Sequence, residues 1–377
     1  MHKIKNIKFL VNMLLWLIIT FIFNCCGSGT NSSQKTDNLS SNWTLINKEK
    51  EQAPINSISI NSTYNSLIVL TQKNLIHAYN ILEKSWQDIE ALPNNNIAKS
   101  ITTVENLNII YAGLNDGKVM SHNIVDLNNK GLSTSNNFNW IAVGNNNIED
   151  IAPITSILKS SDKLFIGNSK GNIWLNQNDL WKKISSYSPS KAISHVKIDN
   201  SNNFLGILNT DGELWICVIS LNKCTDMINL LKKMKIEYTD KSPIKSISLY
   251  SNNDVFYGYW GNENGNIWRI IINNIYKPED GCSLTKLSDD PNFPGYHNTK
   301  PITALLVNNN YNDLYVATQE GDIWIFDTND RHWHNIKNQN NILLETITAM
   351  AIAKNNALYV GSDIGNIWQV SIKGLHN

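Results

Sequence analysis

One short unit recurs seven times along this chain, and a chain built in that way has few folds open to it. The unit comprises an Ile-x-small-apolar stretch, an apolar stretch often ending in Gly, a turn, and then Gly-x-Ile-Trp. Its last piece reads Gly171-Asn172-Ile173-Trp174, Gly212-Glu213-Leu214-Trp215, Gly265-Asn266-Ile267-Trp268, Gly321-Asp322-Ile323-Trp324 and Gly365-Asn366-Ile367-Trp368. Weaker copies stand at Asn74-Leu75-Ile76-His77 and Gly117-Lys118-Val119-Met120. Successive copies start 41 to 56 residues apart, the spacing of propeller blades rather than of shorter solenoid repeats. The implied fold is all-β: a seven-bladed β-propeller with four antiparallel strands per blade.

Each copy supplies its strands in the same order. First strands begin near Ile55, Ala98, Ile154, Ile193, Ile244, Ile302 and Ile347; two positions on stand Ser57, Ser100, Ser156, His195, Ser246, Ala304 and Ala349. Innermost strands converge on a central channel, so small residues there have a steric reason. Second strands such as Leu358-Tyr359-Val360-Gly361 are rich in β-formers and end in a residue that tolerates close approach. A fourth strand is marked by Trp86, Trp140, Trp181 and Trp333. The last copy stops at Ile372 without a fourth strand, while Trp43-Thr44-Leu45-Ile46 near the other end is unclaimed. Pairing the two closes the last blade with an N-terminal strand and removes an exposed sheet edge.

The Gly-x-Ile-Trp strands resemble degenerate repeats of the neuraminidase, ligand-binding-sensor and two-component-regulator propeller types, over about Trp43 to Ile372. Asp363-Ile364-Gly365-Asn366-Ile367-Trp368 echoes the neuraminidase Asp box, with Gly361 in place of its Ser and Ile367 in place of its Thr. A sialidase grips its substrate carboxylate with three arginines. This chain has two, Arg269 and Arg331.

Residues 1–24 read as a signal peptide: Lys3, Lys5 and Lys8 precede an apolar run from Phe9 to Phe23. Fifteen residues at 1.5 Å each reach about 22 Å, short of the ~30 Å hydrocarbon core, which disfavours a spanning helix. Cys25 and Cys26 follow, with a polar stretch behind them, so 25–42 reads as a flexible tether and 43–377 as the propeller. The pattern resembles a bacterial lipoprotein signal, although Ile22-Phe23-Asn24 departs from the usual box of small residues. It implies lipidation at Cys25 or Cys26 and attachment to a membrane of the cell envelope; simple secretion and an uncleaved anchor are the alternatives.

Lys+Arg and Asp+Glu both number 32, net charge zero, and charged residues make up 17% of the chain. No strong field is available to gather nucleic acid. Metalloprotease, Walker and nucleophile-elbow motifs are absent, as are paired Cys-x-x-Cys motifs, so we expect no catalytic residues, cofactor or metal. His332 and His334 flank Trp333 on one strand face, but with no third ligand nearby they read as a surface feature. His195 takes the small inner position and is expected at the channel, where packing or a backbone hydrogen bond is the bland account. Cys217 and Cys224 flank a short turn in blade four, within disulfide reach if directly opposed; two separate buried thiols are the alternative, and Cys282 is left over.

Loops joining second to third strands, and those joining blade to blade, emerge on the same face. That face carries Tyr187, the longest hairpin turn, with Tyr259 and Trp260, and an excursion from Ser288 to Lys300 with Asp289, Asp290, Phe293 and Tyr296. An insertion from Asp226 to Tyr238 spaces Met227, Leu230, Leu231 and Met234 helically, with Lys232, Lys233 and Lys235 opposite. Aromatics beside carboxylates on loops suit a partner surface; variable connectors packed onto the blades are the bland alternative. The reading is a non-enzymatic, envelope-anchored scaffold docking a protein or glycan on this face, with an envelope enzyme acting on carbohydrate as runner-up.

Overall fold

The computed structural model describes residues 43–47 and 53–372, except 64, 90, 105–106, 125–139, 145–147, 149–150, 185–190, 254, 275–280, 294–299, 309–312, 330 and 337–344. The expected leader and tether, with Cys25 and Cys26, lie outside the described residues.

Seven four-stranded antiparallel sheets form a ring of blades, as the repeat predicts. Blade three shows the plan: Ile154–Ser160, Lys163–Asn168, Ile173–Gln177 and Leu180–Lys183 lie side by side in chain order. Second strands such as Ser66–Thr71, Phe204–Asn209 and Ala357–Ser362 are buried at every position. Both their faces pack on neighbouring layers, which is why they read as continuous apolar runs instead of alternating. Fourth strands such as Leu180–Lys183 are mostly exposed, with Trp181 turned partly inward.

The glycine of Gly-x-Ile-Trp closes the tight turn between second and third strands. At Gly117, Gly171, Gly212, Gly265, Gly321 and Gly365, φ lies between +79° and +93°, a region that a side chain makes costly. Blade one uses Asn74 instead, at φ 65°, the kind of residue that tolerates this backbone best after glycine. Each turn is also tied to the segment leading into its blade: Ser169 N donates to Pro153 O at 2.9 Å and Gln72 N to Pro54 O at 2.8 Å.

Every first strand carries a bulge between its first residue and the one two places on. A bulge bends the strand and leaves one residue outside the ladder. At four of these positions Thr155, Ser194, Thr303 and Thr348 turn a hydroxyl back onto the second strand, donating to the carbonyls of Gly167, Leu208, Ala317 and Gly361. The side-chain bond replaces part of the lost pairing.

The ring closes from both ends of the described chain, as expected. Thr44 and Leu45 pair antiparallel with Gln369 and Trp368. Ile46 N donates to Ile367 O at 2.9 Å, and Asn47 Oδ1 accepts from Ile367 N at 2.7 Å. Blade one then grips this strand: Trp86 Nε1 donates to Ile46 O at 2.7 Å.

Candidate functional site

The partner face differs from expectation at its three buried aromatics. Tyr259 and Trp260 are not in a hairpin turn. They belong to the second strand of blade five, Val255–Asn262, and are 2% and 1% exposed. The turn that follows is the same as in other blades, with Gly265 N bonded to Asn262 O. Trp260 packs in a cluster with Leu208, Leu249 and Phe256, and its Nε1 donates to Tyr238 Oη at 3.4 Å. Burial, partly offset by Arg269, pushes the Tyr259 hydroxyl well above its ordinary range.

Phe293 is also interior, 2% exposed, with its ring 4.8 Å from that of Trp324 and 4.5 Å from that of Trp333. Phe293 itself thus packs onto blade six. Asp289 stays exposed and pairs with Lys286 at 2.7 Å; half-buried Asp290 accepts from Asn292 N at 2.8 Å. Tyr187 and Tyr296 lie outside the described residues. The expected amphipathic helix forms at Met227–Lys233, capped by Asp226, which accepts from Asn229 N. Met227 and Leu231 are buried, and Leu230, Met234 and Tyr238 pack against the same cluster as Trp260. Beyond the helix, Asp240 Oδ2 gathers Asn262 Nδ2 at 2.6 Å, Asn266 Nδ2 at 2.7 Å and Trp268 Nε1 at 3.1 Å. Burial, the largest single influence, pulls its carboxyl up, but hydrogen bonds from Ser242, Asn266 and Trp268 outweigh it and hold the group below the usual range.

Among the described residues, this face shows two kinds of exposed group. Around blades four to six the lead-in lysines pair with acids of their own blade's turn: Lys191 with Asp211, Lys245 with Glu263, and Lys300 with Glu320. Around blade two the face exposes two isoleucines, Ile97 at 40% and Ile151 at 73%, beside the Lys118–Asp116 ion pair of the same turn. Both isoleucines flank that turn: Ile97 N donates to Asn115 Oδ1 at 3.0 Å, and Ile151 lies against Gly117. Ile364, 51% exposed, occupies the corresponding turn of blade seven. Sequence reasoning passes over these isoleucines because single exposed aliphatics are common on any surface.

The first strands surround a central cavity of about 390 Å³. Their inner edges have no partner strand, so their N–H groups need other acceptors. Neighbouring blades supply hydroxyls in two tiers. In the first, Ser100 accepts from Ile157 N at 3.3 Å, Ser156 from Val196 N at 3.0 Å, and Ser246 from Leu305 N at 2.9 Å. In the second, Ser59 accepts from Thr103 N at 3.0 Å, Thr102 from Lys159 N at 3.4 Å, and Ser248 from Val307 N at 3.0 Å. The small inner residues therefore meet a hydrogen-bonding need as well as a steric one.

These hydroxyls come from blades one, two, three and five; blades six and seven have Ala304, Leu306, Ala349 and Ala351 at the same positions, and blade four differs from both sets. Its two tier positions are His195 and Lys197, both half-buried and both lining the cavity. His195 Nδ1 lies 3.2 Å from Ser194 Oγ. Burial, and then the charge of Lys197, push its imidazole down to about 4. Burial also lowers the Lys197 ammonium from its ordinary range. His332 on the outer strand is exposed, and His334 is half-buried. Among the described residues no three His, Cys, Asp or Glu side chains gather into a group able to hold a metal.

Cys217 and Cys224 oppose each other across the third and fourth strands of blade four and are joined by a disulfide, with Cα atoms 3.9 Å apart. Cys282 is a free, half-buried thiol whose pKa burial pushes up to about 11.

No protein-family model matches this chain, and no curated protein does. In structure it is similar to the WD40 β-propeller domain of Doa1, with 8% identity and a TM-score of 0.62 over 89% of this chain and 98% of that one. It is also similar to YCF48 from Cyanidioschyzon merolae, with 9% identity and a TM-score of 0.64 over 88% and 99%. At such identities the likeness concerns the fold alone: the chain is a seven-bladed β-propeller.

Proposed function

We propose that this propeller is a non-enzymatic scaffold, tethered to the bacterial cell envelope through its N-terminal segment, that docks a protein partner on its loop-rich face. The observation that carries the docking is the exposed pair Ile97 and Ile151 on either side of the blade-two turn. Ile97 is held by that turn through two hydrogen bonds, its N–H donating to Asn115 Oδ1 and its carbonyl accepting from Asn115 N, and the Ile151 side chain lies against Gly117; pre-ordered apolar side chains make efficient anchors. A glycan is less well matched. Sugar-binding faces depend on exposed aromatic rings, and Tyr259, Trp260 and Phe293 are spent in the core. Asp289 and Asp290 belong to the polar rim of this reading, and Tyr187 and Tyr296 to its connecting loops.

A photo-reactive residue at position 151 is expected to cross-link one discrete protein in intact cells. The same residue at position 180, where Leu180 is 71% exposed beside the opposite set of turns, should not. Equal labelling from both positions, or none from 151, would remove the docking claim. The tether rests on the leader and on Cys25 or Cys26. Mass spectrometry of the mature protein should find a lipid on one of these cysteines, whereas an unmodified, water-soluble mature chain would refute it.

A further inference from the structure

We infer that the central channel holds a small oxyanion, a carboxylate or a phosphate, at Lys197 in blade four. The cavity lining contains Lys99, Lys197 and His195 but no aspartate or glutamate. Lys99 is exposed at the mouth, where water satisfies it. Lys197 is half-buried in the channel wall, at a tier position that carries a hydroxyl in blades one, two and five, from Ser59, Thr102 and Ser248.

The Lys197 ammonium is half-buried, and an ammonium partly withdrawn from water is stabilised by an opposite charge and hydrogen-bond acceptors. No carboxylate of the cavity lining supplies that charge. Asp199, the next acid along the strand, is committed to its own turn: Oδ1 accepts from Asn203 N at 2.9 Å and Phe204 N at 2.8 Å, and Oδ2 accepts from Ser201. His195 offers a dipole and no negative charge. With its imidazole pushed down to about 4, it is neutral at pH 7 and can donate one N–H. Ser57, from blade one, adds a hydroxyl to the same cavity. An ammonium, an imidazole N–H and a hydroxyl around an acid-free space of about 390 Å³ are the donors that an oxyanion needs. Blades six and seven also lack both hydroxyls but fill the positions with Ala304, Leu306, Ala349 and Ala351, whereas blade four fills both with nitrogen donors.

The test uses the whole propeller at constant ionic strength, with inorganic phosphate and acetate as separate probes and chloride as the reference. Saturable stabilisation by one of them at millimolar concentration is expected, following mass-action linkage, and which one responds identifies the anion class. Lys197→Met should weaken that response at least tenfold, and Lys99→Met at the mouth should leave it within twofold. Should Lys197→Met fail to fold, the His195 ring resonances of the parent protein decide, because an anion beside the imidazole must raise its pKa. A response unchanged in Lys197→Met, or the absence of saturable binding and of any His195 shift with both anions, overturns the inference.

Discussion

Gly361 at the end of a blade-seven strand and Ile55 at the start of blade one lock together across the seam of the ring. A Cβ added to Gly361 would stand 2.7 Å from Ile55 Cγ2 and 2.9 Å from its Cβ. The same relationship joins Gly113 to Ile154, Gly167 to Ile193 and Gly261 to Ile302. An isoleucine seated on bare backbone is thus the recurring contact between blades.

Gly361→Val should overpack this seam and cost about 1–3 kcal/mol. Ile55→Ala alone should cost about 2–5 kcal/mol through the cavity that it leaves. Combined, they should cost clearly less than the sum, because each relieves the other. Urea unfolding of the four proteins measures the coupling; additive costs would mean that the two residues do not meet.

Removing residues 43–47 should lower the melting temperature and promote aggregation. The deletion strips the outer edge of the strand Ile367–Ser371, which then presents unpaired backbone groups. It also leaves Trp86 Nε1 without its acceptor at Ile46 O. Calorimetry with light scattering follows both effects, and a deletion variant that melts like the parent would exclude the closure.

The ring, its blade count and its closure are legible in the sequence because each follows from a local requirement repeated seven times. Gly171 and its equivalents must adopt positive φ, and the second strands must be apolar on both faces. The partner face is not legible, because one blade disguises its length. Val255-Phe256-Tyr257-Gly258 imitates Leu358-Tyr359-Val360-Gly361, so Gly258 reads as the end of the strand and Tyr259 and Trp260 as turn residues. The true end is near Gly261, which sits against Ile302, and the strand runs for eight residues where its counterpart in blade three has six. The channel is half legible: His195 is visible as a departure from small residues, whereas Lys197 looks like any lysine until the hydroxyl tiers show what it replaces.

Trp260→Ala should therefore destabilise the fold itself, by about 3–5 kcal/mol, the usual cost of removing a large buried aromatic. The loss is expected to free the helix Met227–Lys233, because Tyr238 bonds the indole and Leu231 packs in the same cluster. Urea titration monitored by tryptophan fluorescence measures the cost, and protease susceptibility near Lys232 reports the helix. A variant with parental stability would return Trp260 to the surface.

Acid should weaken the ring through His195. Burial and Lys197 push its imidazole down to about 4 in the folded protein, while in the unfolded chain it titrates near an ordinary value of about 6.5. Between these values the unfolded chain binds more protons, so stability rises with pH across that window. The contribution is complete above pH 6.5 and is lost as pH falls towards 4. Carboxylates elsewhere titrate in the lower part of the same window, so the parent curve alone cannot isolate the histidine. His195→Gln keeps a polar, similarly sized side chain and removes the titration. The difference between the two melting curves should be flat above pH 6.5 and should shrink or change sign in favour of the glutamine variant on the way down to pH 4. For a propeller of about 330 residues each kcal/mol corresponds to roughly 1–2 °C, which calorimetry resolves. Parallel curves from pH 8 to pH 4 would show that His195 titrates alike in both states, and so that water in the channel reaches it freely.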